Sequence, residues 1–194
     1  MKLWTTQPVE VYHILMRDGV FRADPDKIAH KYLLHAYDWL NEHLNNKATR
    51  PNGVSYPVWA WHTYANKHEM PPLEYGGHGL DGEEMVCLEL DIPDELVLLS
   101  DFDAWHGVLN KWWLDDSLSE AEWEKNHDWY DNLPWADQER LAKESWVKIF
   151  NIEPFANEWM RRGHYVQAVF WELKKEYLVR EPEFFIARDL DDEE

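Results

Sequence analysis

Glu172 is set apart from the other acidic side chains by its surroundings. It lies in "QAVFWELK", a run dominated by apolar residues and predicted as a strand. A carboxylate there is either on a solvated face, where Lys174 two residues on could pair with it, or held for chemistry that needs a fixed negative charge. Gln167 is the other polar residue in that run. The period of two puts it on the opposite face from Glu172 unless a bulge intervenes. "DFDAWH" offers Asp101, Asp103 and His106, and Asp103 and His106 are three apart on a predicted helix, so both could face one metal ion. The competing role for the aspartates is to cap that helix, and no third, distant ligand can be named. His62 and His68 fall at a strand end and in a loop, where nothing fixes their spacing. "VSYPVWAWH" places Trp59 and Trp61 on one face of a predicted strand and Val58 and Ala60 on the other. The two indoles either pack in a core or line a groove. Cys87 sits in the apolar run "EMVCLELDI" and reads as a small buried residue. No GxGxxG, phosphate loop or GxSxG is present, and "GGHG" at 76–79 precedes no helix signal.

The elements that must position these residues are legible in outline. "KLWTT" (2–6) is predicted as a strand. "QPVEVYHILMRDG" is predicted as a helix, with Pro8 in its first turn, Val11, Ile14 and Leu15 on one face and Gly19 at its C-terminal cap. Asp24-Pro25 opens a second helix running to about Asn45, with Ile28, Tyr32, Ala36, Leu40 and Leu44 as its stripe. After the loop "NNKATRPNG" comes the tryptophan-bearing strand, with Pro57 at its start or at an edge. "MVCLELDIP" and "ELVLLSD" follow as strands. Ser100 is predicted to cap "DFDAWHGVLNKWW", and Ser119 with Glu122 forms a capping-box pattern before "AEWEKNHDWYDNL". A further helix covers about 137–150. "HYVQAVFWEL" and "EYLVREPEFFIA" are predicted as closing strands. Strands outnumber crossover helices, so the expectation is an α+β fold with a single mixed or antiparallel sheet, N-terminal helices and a helical insertion at about 100–160. Residues 1–190 are expected to form a single domain, and 191–194 an acidic tail.

Composition narrows the classes of function. The net charge is −19, from 38 Asp+Glu against 19 Lys+Arg. Binding a nucleic-acid backbone needs basic residues to replace counterions, so nucleic acid is not the expected partner. The lone cysteine excludes an intrachain disulfide and any multi-cysteine zinc site. The N-terminus is too short and polar for a signal peptide, and no apolar run is long enough to span a membrane. A cytoplasmic location is the default. Thirteen tryptophans, with 9 Tyr and 7 Phe, exceed what a core of this size ordinarily uses. Some are therefore expected to line a groove.

The phrases "LWTTQPVEVYHILMRDGVFRAD", "YPVWAW", "IPDELVLLSDFDAWHGVLN" and "QAVFWELKKEYL" together resemble a bacterial domain-of-unknown-function family, DUF3841, over nearly the whole chain. That resemblance carries no reaction. The opening strand and glycine-terminated helix also resemble the start of ADP-ribosyltransferase-like domains, which place His-x-Thr in a first strand, an aromatic residue in a middle strand and a Glu in a late one. By position Trp4 and Thr6 match the His-x-Thr, Tyr56 or Trp59 the aromatic residue, and Gln167 or Glu172 the late polar residue. Trp4 stands where that pattern has His, and an indole can stack on nicotinamide but donates only one hydrogen bond. The resemblance implies NAD as cofactor, held by Trp4, Thr6, Tyr56, Trp59 and Trp61, with Glu172 or Gln167 steadying an oxocarbenium-like charge. Two functions are thus expected: a domain that binds a nucleotide-like small molecule or a protein in a Trp-lined groove, and, as the alternative, an NAD-dependent ADP-ribosyltransferase-like enzyme.

Overall fold

The segments "KLWTTQP" and "VWAWHT" lie side by side. In the structure, a computed structural model that describes residues 1–25, 31–73 and 79–188, β1 (Lys2–Pro8) pairs antiparallel with β3 (Val58–Thr63), with Trp4 opposite Trp61. β1 also pairs along its whole length with β4 (Glu84–Asp91). β8 (Val166–Phe170) pairs with β3 on one side and β5 (Leu98–Asp101) on the other, and β10 (Glu183–Ile186) closes the far edge against β4. The resulting sheet has the order β10-β4-β1-β3-β8-β5, and every pairing is antiparallel. The α+β expectation holds, and of its mixed and antiparallel forms the main sheet takes the antiparallel one.

Alternation divides the sheet's side chains between two cores. Leu3, Val58, Ala60, Leu88, Ala168 and Phe170 point to one face, where Val11 and Leu15 of α1 (Val9–Asp18) cover them. Trp59, Val169 and Leu98 point to the other. There they meet Ala36, Leu40 and Leu44 of α2 (Leu34–Lys47), Trp105 and Val108 of α3 (Phe102–Leu109), and Trp146 and Ile149 of a 3-10 segment, Trp146–Phe150. The indoles of Trp146 and Trp171 donate to the carbonyls of Trp112 and Ala48, which satisfies their N–H groups inside this second core. Cys87 is buried in β4, and burial pushes its thiol up to about 12, so it offers no thiolate at neutral pH.

Several boundaries differ from the sequence reading. Pro8 ends β1 and caps α1 instead of lying in its first turn, while Gly19 closes the helix in the left-handed conformation as expected, at φ 77°. α2 starts at Leu34, ten residues later than Asp24, behind a 3-10 turn at Lys31–Leu33. Tyr32 is exposed, whereas Ala36, Leu40 and Leu44 are buried. The cap of α3 is Asp101, the last residue of β5, whose side chain accepts from the Ala104 N–H; Ser100 lies one residue earlier, opposite Gln167. Ser119 caps α4 (Glu120–Asp131) as predicted, and α4 buries no residue. α5 (Trp135–Ser145) precedes the 3-10 segment. The expected closing strands are shorter. β8 stops at Phe170, and Leu173–Lys174 (β9) pairs instead with Val20–Phe21 (β2) in a separate two-stranded ribbon. Only 183–186 of the last predicted strand is strand, and the hairpin of β6 (Phe155–Ala156) and β7 (Arg161–Arg162) was not foreseen. Ile28, residues 76–78 of "GGHG" and the acidic tail lie outside the described residues. No helix among the described residues is long and apolar enough to cross a membrane.

Candidate functional site

Where β1 ends and β3 begins, the sheet opens into a cavity of about 590 Å³. Gln7 and Pro8 form one wall, Val11 and Ile14 of α1 another, and Tyr56, Pro57, Val58 and Trp59 a third. Tyr37 of α2 reaches the same space. Its ring meets Tyr56 and Trp59 edge to face, at centroid separations of 6.1 and 6.2 Å, and backs onto Trp105 at 5.9 Å. Burial raises the Tyr37 phenol above its ordinary range, so it stays a neutral hydroxyl that can donate. Glu10, Arg22 and Asp24 line the cavity and are themselves exposed, so they form its rim.

Arg22 connects this rim to Glu172. The guanidinium approaches Glu172 Oε1 through Nε at 2.8 Å and Nη2 at 2.7 Å, across 150 residues of sequence. The Glu172 side chain is only 14% exposed. Lys174, the partner weighed from sequence, lies instead near Glu176. Glu172 follows the end of β8, outside any strand, and its side chain meets Arg22.

The other sequence-nominated residues gather elsewhere. Glu89, Trp4, Trp61, Gln167 and Ser100 stand opposite one another on five successive strands and so share one face in a single row. Thr6 points to that face as well, opposite Cys87. Trp4 is 3% exposed and donates to Glu89 Oε2, with His68 packed edge-on against it. Trp61 is half-buried, with the rings of Tyr64, Phe102 and Tyr165 against it. Gln167 Oε1 is buried with no hydrogen-bond partner among the described residues, as is the hydroxyl of Ser100 opposite it. Of the seven nominated residues, Tyr56 and Trp59 therefore line the cavity, Glu172 reaches its rim through Arg22, and Trp4, Thr6, Trp61 and Gln167 do not. Arg22 and Tyr37 were missed because each is an ordinary residue locally, and only tertiary structure brings them to Tyr56 and Trp59.

The aspartates of "DFDAWH" are arranged for capping. Asp101 is 2% exposed and accepts from the backbone N–H of Ala104 at 2.8 Å and of Gly163 at 2.7 Å. His106 Nδ1 is paired with the Phe102 carbonyl at 3.0 Å. Among the described residues no group of three His, Cys, Asp or Glu side chains could hold a metal ion.

His62 is half-buried at the end of β3, its ring 4.3 Å from that of His68. Burial, reinforced by His68, lowers its pKa from 6.5 to about 4. The folded state therefore favours neutral His62. The resulting stability is present above pH 6.5 and lost as the pH falls from 6.5 towards 4. For a half-buried ring this loss amounts to about 1–2 kcal/mol after screening. The difference in melting temperature between pH 7 and pH 4.5 should shrink by several degrees in His62→Gln, and an unchanged difference would refute the assignment.

The sheet and its cavity define an α+β domain with an aromatic recess at the end of its central strand pair. The chain belongs to the DUF3841 family, a domain of unknown function, whose family model matches residues 2–179. No curated protein and no solved structure matches the chain.

Proposed function

We propose that the chain binds a nucleotide-like small molecule in the cavity between α1, Tyr37 and the Tyr56–Trp59 segment. The observation that carries this reading is the convergence of three aromatic rings with an arginine at the mouth of one mainly apolar recess. Its volume lies within the range of small-molecule sites, which are concave, largely apolar and furnished with a few placed polar groups. A planar base or nicotinamide ring fits against Tyr56 and Trp59, Gln7 and the Tyr37 hydroxyl supply hydrogen bonds, and Arg22 meets a phosphate. Glu172 fixes the guanidinium in position. The strongly negative chain disfavours polyanions, so a ligand with one or two phosphates suits it better than a nucleic acid.

Calorimetric titration with AMP, NAD and nicotinamide tests the proposal. At least one should bind, and Tyr56→Ala and Arg22→Ala should each weaken binding about tenfold, the worth of one charge-assisted or stacking contact. Absence of binding by all three at millimolar concentration, or variants that bind as the parent does, would rule the site out.

The second reading is NAD cleavage, favoured by the low exposure of Glu172 beside a cavity-lining arginine. In that reaction water attacks the ribose anomeric carbon, the glycosidic bond to nicotinamide breaks, and a nearby carboxylate stabilises the oxocarbenium-like charge. Release of nicotinamide from NAD, abolished in Glu172→Gln, separates this reading from binding alone.

A further inference from the structure

The exposed tryptophans concentrate in the helical insertion, away from the cavity. Trp112, Trp123 and Trp159 are 60%, 40% and 43% exposed, and with Trp113 they line a second recess of about 480 Å³ between α4 and the β6–β7 hairpin. Exposed indoles in this number are unusual on a surface that nothing covers. The Trp123 and Trp159 rings stand 6.2 Å apart and inclined at 56°. The His127 ring packs against Trp123 at 4.0 Å, so the exposed rings of Trp159 and Trp112 are the walls left to a ligand. Asp115, whose side chain is only 10% exposed, lines the same recess.

Asp115 is held by neutral donors. Ser117 donates to Oδ2, and the Asn126 amide donates to Oδ1 at 3.2 Å. Among the described residues no Lys or Arg pairs with it. The nearby Lys148 is engaged with Asp116 and the Leu114 carbonyl. His127 Nδ1 lies 4.0 Å away, but the ring is a cation only when protonated, and this nitrogen is already 3.1 Å from the Trp123 carbonyl. A poorly solvated carboxylate without a fixed cation, in a recess walled by exposed indoles, attracts positive charge twice: through its own charge and through the ring quadrupoles. The charge of α4 acts in the same direction, with five acidic residues against Lys125.

We propose that this recess is a binding site for a trimethylammonium-type organic cation. Such a group has no N–H to be satisfied, so the apolar indole walls cost it nothing in hydrogen bonds, and its diffuse charge suits aromatic faces better than the compact ammonium of lysine does. The site is independent of the nucleotide reading.

The test compares choline with 3,3-dimethyl-1-butanol, its neutral isostere, by following the indole N–H signals of the full chain. Choline should shift the indole signals with millimolar or tighter affinity, and the isostere should bind at least tenfold more weakly. Trp159→Leu, at an exposed position, should weaken choline binding about fivefold and Asp115→Asn at least tenfold, with far-UV circular dichroism unchanged. Co-sedimentation with phosphatidylcholine vesicles distinguishes a lipid headgroup from a free solute as the source. Choline binding with or without vesicle binding supports the site. Equal response to choline and the isostere, no response to choline at millimolar concentration, or vesicle binding without choline binding overturns it.

Discussion

Replacing Asp101 with alanine is expected to lower the melting temperature by about 4–20 °C. The carboxylate is almost wholly buried and uses both oxygens on backbone N–H groups, that of Ala104 at the start of α3 and that of Gly163 just before β8. Loss of an N-cap costs about 1–2 kcal/mol. The buried Gly163 N–H left without a partner costs about 1–3 kcal/mol more. At 2–4 °C per kcal/mol for a chain of this size, these give the range stated. Gly163 packs closely against Ile152 and Pro154. Its φ is +69°, and a side chain there would place Cβ 2.5 Å from the Ile152 carbonyl oxygen, so the backbone is confined on that side. Asp101→Asn keeps one acceptor and should lose about half as much. Thermal unfolding of both variants checks the ordering, and an Asn variant as damaged as the Ala variant would contradict the two-acceptor account.

Trp171→Ala should be costlier still among core changes, at about 3–5 kcal/mol. The indole is 4% exposed, packs in the second core and donates to the Ala48 carbonyl at 2.7 Å, joining the end of β8 to the end of α2. The Arg50 guanidinium lies 5.7 Å from its ring centroid. Trp171→Phe keeps most of the apolar volume but orphans the carbonyl, so its cost should fall to about 1–2 kcal/mol. Denaturant unfolding of the pair separates packing from hydrogen bonding. Equal losses in the two variants would show that the hydrogen bond, and not the volume, dominates.

What the chain displays locally could be read from it, and what depends on remote partners could not. The tryptophan strand was legible because Val58 and Ala60 alternate with Trp59 and Trp61, and the structure buries the first pair against α1. Its neighbour β1 was legible as a short run of β-prone residues. The cap of α3 was misplaced by one residue because Ser100 and Asp101 are both capping types. The helix starts at Phe102, so Asp101 directly precedes it, and its carboxylate accepts from the Ala104 N–H. Glu172 looked like a strand residue because its apolar neighbours continue the pattern, yet β8 ends at Phe170 and the chain transfers to pair with β2. Period two did foresee that Gln167 and Glu172 diverge. The cavity was only half legible: Tyr56 and Trp59 announce themselves as aromatic, while Arg22 and Tyr37 acquire meaning only when folding brings them there.

The central claim, a nucleotide-like ligand in the recess at the end of β1 and β3, is tested most directly by mapping chemical-shift changes in the isotope-labelled chain during titration with AMP and NAD. The account predicts changes at the Trp59 indole N–H and at the amides of Gln7, Arg22, Tyr37 and Tyr56, saturating together. No change at millimolar ligand, or changes confined to residues remote from this recess, would contradict it.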